Sequence, residues 1–223
     1  MKKQQEKSDR LVSLDALRGF DMLWITGGEG LIFALAALTG WPVFTWAATQ
    51  MEHVPWEGFA FYDMIFPLFL FIAGVSMPFS LLKRKKRGES LKSIYLHVLK
   101  RLFLLLLLGW IYNGLLRFDF ENQRWASVLG RIGLAWFFAA LIVLNTSVRG
   151  QVIWFAGILL SYWAIMKFVP VPGFGAGVLT PEGNLGAYID RLLLPGSFCC
   201  YTYGDNEGIL STLPAISTAL LGA

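Results

Sequence analysis

Charge is scarce in this sequence. Only 15% of its 223 residues are charged while 56% are hydrophobic, including nine Trp and eighteen Phe, more apolar surface than a water-facing domain of this size can accommodate. Lipid must cover much of it. Cysteine is nearly absent: Cys199 and Cys200 are adjacent, so pairing them closes a strained ring and no disulfide framework can be argued. The charged start MKKQQEKSDR leads into a long apolar segment with no small-residue cleavage site, which argues against a removable signal peptide. There is no internal repeat, and the one biased tract is basic. The net charge of +4 does not indicate nucleic acid as a partner, because Lys and Arg cluster at the ends of apolar runs and are not interleaved with exposed aromatics.

What the sequence has in quantity is long apolar runs. Stretches able to span about 30 Å of hydrocarbon at about 1.5 Å per residue occur near 16–39, 59–82, 96–116, 128–146 and 151–169. A further run, ILSTLPAISTALLGA from Ile209, is too short to cross as it stands. The expected fold is an all-α polytopic transmembrane helix bundle of about six spans, the sixth incomplete. Residues 1–223 read as one transmembrane domain, truncated at its C-terminal end within a helix.

Lys and Arg near span ends favour the cytoplasmic side. Lys2, Lys3, Lys7 and Arg10 precede the first span, Lys83 to Arg87 lie in the 83–95 loop, and Trp41 to Glu57 holds no Lys or Arg. The N-terminus and the 83–95 loop are therefore expected to be cytoplasmic. Segments 40–58, 117–125 and 170–208 then face the other side. The last is long and rich in Pro and Gly, which opposes regular helix through most of it, although a short interfacial helix fits Leu185 to Leu194.

An ionisable residue inside a span costs a few kcal/mol and persists with a partner or a use. Asp15, Arg18 and Asp21 open the first span, with Asp15 and Arg18 three apart on one face and able to pair. Thr26-Gly27-Gly28-Glu29-Gly30 places a carboxylate among glycines that permit close packing or a locally opened helix. At the mouth of the second span, Glu52, His53, Trp56 and Glu57 gather, and imidazole titrates near neutrality, as a general base requires. The second span begins with Asp63, placed to orient a base, then carries Pro67 as an expected kink and Gly74 and Ser76 as small contact residues.

SLDALRGF, HVPWEGFAFYDMIFPLFLFIAGVS, the NG after the leucine run, SVLGRIGLAW and GDNEGILSTLPA occur in an order and spacing that resemble the heparan-alpha-glucosaminide N-acetyltransferase family and its bacterial relatives. The resemblance implies transfer of an acetyl group from cytosolic acetyl-CoA, the donor substrate, to an amino sugar across a bacterial inner membrane. His53 falls on the family's active-site histidine. Relatives carry Asn in the first span where this sequence has Gly28-Glu29, so an ionised Glu29 would put an acceptor in place of a donor, a difference that bears on substrate or donor.

The expected catalytic residues are then His53, Asp63 and Glu29. Arg18, Lys100 and Arg101 would hold the phosphates of coenzyme A, and Glu52, Trp56, Arg131, Asp205 and Glu207 would bind substrate, with no metal. Expected partners are membrane lipid, an amino sugar or glycan, and a second copy in a homodimer. The competing reading is a transporter of sugar or ions, in which broken spans and buried charges line a path without covalent chemistry.

Overall fold

The computed structural model describes residues 12–199 and 202–223. Lys2, Lys3, Lys7, Arg10 and Cys200, on which expectations above rest, lie outside them. The described chain is mostly helical, and five of its helices are long and apolar enough to cross a membrane: Val12–Thr39, Phe61–Lys86, Leu91–Tyr112, Val128–Asn145 and Val148–Phe168. These are the five runs expected from hydropathy. The protein is an all-α polytopic membrane protein. Its contacts divide it into two compact units, Met1–Ile72 and Ala73–Ala223.

In the first unit, α1 (Val12–Leu23) and α2 (Glu29–Thr39) are joined by a π-helical turn, Trp24–Gly28. Gly27 adopts φ 118°, a backbone conformation that L side chains rarely enter, and this breaks the hydrogen-bond ladder inside the span. The expected local opening of the helix is present. A short helix α3 (Pro42–Gln50) follows, opened by Pro at its first position and packed on α2. Hydropathy gives no signal for this helix, because aromatic and polar residues alternate there without a span-length run. Irregular chain from Met51 to Ala60 leads to a 3-10 turn (Phe61–Met64) that runs into α4 (Ile65–Met77). Pro67 lies just beyond the 3-10 junction, where the backbone bond that it cannot make coincides with a change of helix type.

In the second unit, α5 (Lys83–Lys86) and α6 (Leu91–Tyr112) precede α7 (Val128–Asn145) and α8 (Val148–Phe168). Helix α7 packs on α6, and α10 (Thr212–Gly222) packs on both α7 and α8. Gly74 lets the backbone approach Ala219 so closely that any Cβ would clash with the Ala219 carbonyl. At Gly133 of α7 a Cβ would stand 3.1 Å from Leu105 Cβ of α6, a tight fit that glycine avoids. The 170–208 segment holds a two-residue antiparallel pairing, β1 (Pro170–Val171) with β2 (Gly175–Ala176), and α9 (Leu185–Leu193), the short helix expected there.

Candidate active site

The first unit carries the residues proposed for chemistry. Asp63 is the third residue of the 3-10 turn, and its two carboxylate oxygens have separate partners. Oδ2 accepts the Ala60 backbone N–H at 2.8 Å, fixing the start of the turn, while Oδ1 lies 2.6 Å from His53 Nδ1. An ionised carboxylate only accepts, so this pairing puts the imidazole proton on Nδ1 and leaves the Nε2 lone pair available. The His53 side chain is 64% exposed and Asp63 24%, so the base meets solvent and the carboxylate stays behind it. Gln50 Oε1 accepts the Phe61 N–H at 3.3 Å, tying the end of α3 to the turn that holds Asp63.

Tyr62 joins these residues without having been expected there. Its ring packs edge-on against His53 at 5.1 Å between centroids, and its hydroxyl is within hydrogen-bonding reach of the Glu29 carboxylate. Glu29, at the start of α2 just beyond the Gly27 break, thereby joins the His53 pair through one aromatic side chain. Tyr62 lies within the aromatic run FAFY, where nothing distinguishes a functional ring from a packing ring. Trp56 is 39% exposed, and Glu52 and Glu57 are exposed beside it in the same loop. Beside His53, that loop presents acid, an aromatic face and no Lys or Arg.

Two curated proteins align with this chain. The mouse heparan-alpha-glucosaminide N-acetyltransferase is 30% identical over 219 residues, taking in 77% of this chain and 33% of the mouse protein. The human protein of the same name is 29% identical over 266 residues, taking in 96% of this chain and 37% of its own length. Residues 10–113 also match the family described as "Domain of unknown function (DUF5009)". The chain is a relative of the heparan-alpha-glucosaminide N-acetyltransferases. It spans about a third of the length of these relatives.

The other candidate residues of this chain are differently placed. Arg18 pairs with Asp15 at 3.5 Å, both side chains being about two-fifths exposed, as their spacing predicted. Lys100 is exposed on α6, and the Arg101 guanidinium lies 4.1 Å over the Trp136 ring, a cation–π contact within the second unit. Arg131, mostly buried on α7, donates to the backbone carbonyls of Asn206 and Ser211, each at 2.6 Å.

Asp205 and Glu207 form a cluster around Arg124, a residue that sequence reasoning passed over. Arg124 Nε and Nη2 reach the two Asp205 oxygens at 2.7 and 2.5 Å, and Nη2 also pairs with Glu207. The partners stand more than eighty residues apart, so no local spacing could reveal them. Asn113, the Asn of the NG motif, fixes this turn by donating to the carbonyls of Arg124 and Ala126. Asp190 of α9 closes the cluster from below, accepting the N–H groups of Asp205 and Ile209. Burial alone would raise the Asp205 carboxyl, but Arg124 and the N–H groups of Cys199 and Glu207 outweigh it and hold it below its ordinary range. Glu207 is pushed up, by burial first, with the opposing pull of Arg124 only partly offsetting it. Asp190 is likewise raised by burial.

Proposed function

We propose that this protein transfers an acetyl group from cytosolic acetyl-CoA to an amino sugar on the opposite face of a bacterial inner membrane. The relationship to N-acetyltransferases supports acyl transfer. The observation that carries the reading is the His53–Asp63 pair, with the imidazole largely exposed at an acidic, aromatic loop. A protonated amino sugar is drawn to Glu52 and Glu57, and its ring packs on Trp56.

The acceptor's ammonium gives a proton to His53 Nε2, and the freed nitrogen lone pair attacks the thioester carbon. The C–S bond breaks. Of the two protons the nitrogen sheds, one ends on the departing thiol and the other passes through His53 to solvent. Asp63 stabilises the imidazolium, and Tyr62 with Glu29 keeps the ring in place. In the alternative sequence of steps Nε2 itself attacks the thioester, the thiolate leaves, and the acetyl-imidazole hands its acetyl to the amine. Lys100 and Arg101 are retained as cations for the donor's phosphates, Arg101 exchanging Trp136 for phosphate. In this reading Glu207 is the accessible member of the second-unit cluster, its side chain being 14% exposed against 0% for Asp205.

The test uses the natural full-length protein in sealed vesicles, with acetyl-CoA on the face of the Lys83 to Arg87 segment and amino sugars inside. Free thiol should appear outside only when amino sugar is present, and acetylated sugar should appear inside. Sugar movement without thiol release would instead establish the transporter reading, and thiol release with reversed sidedness would invert the orientation.

A further inference from the structure

Asp21 is the one fully buried residue of α1, and neither of its carboxylate oxygens has a hydrogen-bond partner among the described residues. It stands inside the first membrane span, where an unsatisfied carboxylate is among the least favourable groups a helix can carry. One turn further on, the indole Nε1–H of Trp24 is also buried and unpartnered among the described residues. Positions three apart share a helix face, so an acceptor and a donor stand side by side with nothing in the described chain to satisfy either.

We propose that Asp21 and Trp24 form a hydrogen-bonding station for a secondary amide of the acyl donor, the amide N–H going to Asp21 and the amide C=O to Trp24. The proposal rests on the acyl-transfer reading above. A donor whose thioester reaches His53 while its nucleotide stays at the opposite face must lay its connecting arm along the span. The pantetheine arm of coenzyme A is an apolar chain interrupted by two secondary amides, groups that need partners wherever water is excluded. Other occupants fit worse. A metal cation satisfies the carboxylate and not the indole N–H, and a lipid chain satisfies neither.

The surroundings agree with this role. Trp24 packs edge-on against Phe20 and Phe61, at 5.9 and 5.5 Å between centroids, giving an aromatic wall suited to the arm's methylene groups. Phe61 precedes Tyr62, the residue that touches His53 and reaches Glu29. Asp21 is about two turns before Glu29, so the amide station precedes the reactive centre along the same span.

The experiment compares two donors in the wild-type full-length protein and three variants: acetyl-CoA, and S-acetyl-2-mercaptoethanol, which has the same thioester and no amide. Asp21→Leu and Trp24→Phe should each raise KM for acetyl-CoA by about tenfold, the typical effect of one lost hydrogen bond to a ligand, and should move KM for the amide-free donor far less. Asp21→Asn, which keeps a carbonyl acceptor, should recover most of what Asp21→Leu loses. Equal loss with both donors would make the pair structural and overturn the proposal. Asp21→Asn as damaging as Asp21→Leu would mean an ionised carboxylate holding a cation, which also overturns it. If Asp21→Leu fails to assemble, Trp24→Phe decides by the same ratio, since it keeps a ring and removes the N–H. A wild-type protein that releases thiol from neither donor refutes the acyl-transfer reading instead.

Discussion

The two units handle their polar residues in opposite ways. In the second, Arg124, Asp205, Arg131 and Asp190 use their charges on each other and on backbone groups. In the first, the His53 imidazole paired with Asp63 is largely exposed, Glu29 meets one hydroxyl, and the buried Asp21 carboxylate has no hydrogen-bond partner among the described residues. A charge that is fully engaged organises a loop. One left with spare valence is placed for a ligand or a proton, because in an apolar setting such a group is otherwise a net cost.

Mutation should separate these roles. His53→Ala in the full-length protein is expected to lower kcat by about 10²- to 10⁴-fold, the usual worth of general base catalysis, while expression and donor affinity change little. Full turnover by that variant, measured as thiol release, would remove His53 from the chemistry. Arg124→Met should do the reverse. It leaves Asp205 and Glu207 buried without their cation, which typically costs about 3 to 5 kcal/mol, so thermal unfolding in detergent should fall steeply. If Arg124→Met instead kept its stability and only raised KM for the sugar, the cluster would belong to substrate binding and the contrast between the units would collapse.

The spans were legible because a run of apolar residues constrains its own structure locally: lipid leaves a helix as the only way to satisfy the backbone. The same holds for α9, whose apolar positions fall on one face, and for the break at Gly27. His53 was singled out by the family resemblance, since by composition alone a lone histidine in a loop is usually bland, and the structure adds its pairing with Asp63. Tyr62, Arg124 and Asp190 were not. Tyr62 is one aromatic in an aromatic run, and its role exists only because Glu29, more than thirty residues earlier, is brought to its hydroxyl. Arg124 and Asp205 meet across 81 residues, and the encounter depends on how α7, α9 and α10 fold back, which no periodicity encodes.

The Gly27 break offers a finer probe of the first unit. A Cβ there would meet nothing within 4 Å, so Gly27→Ala changes backbone preference without a clash. Holding an L residue at φ 118° costs on the order of 1 to 3 kcal/mol. Relief by straightening would rotate Glu29 away from Tyr62. The expected outcome is a loss of turnover within that range, up to about 100-fold, with Asp21-dependent donor binding retained because Asp21 precedes the break. Unchanged turnover would show that the Glu29–Tyr62 contact does not serve His53.

The smallest expected effect lies in the pH dependence of the second unit, where Asp205 and Glu207 share Arg124 but shift in opposite directions. Asp205 is held below its ordinary range, so its stabilisation is present above an unfolded value of about 3.9 and is lost as pH falls through the lower folded value. Glu207 is raised, chiefly by burial. Its contribution is complete below an unfolded value of about 4.3 and is lost as pH rises through the higher folded one, because ionisation is harder in the fold than out of it. Glu207→Gln cannot ionise, so its unfolding temperature relative to wild type should climb as pH rises above the unfolded value towards the higher folded one, whereas that of Asp205→Asn should drop across its own lower window as pH rises. The Glu207 effect is small because Arg124 already offsets part of the burial. A Glu207→Gln difference that fell with pH would mean that Arg124 serves Glu207 before Asp205, and the residue with accessible surface would then be the anchored one.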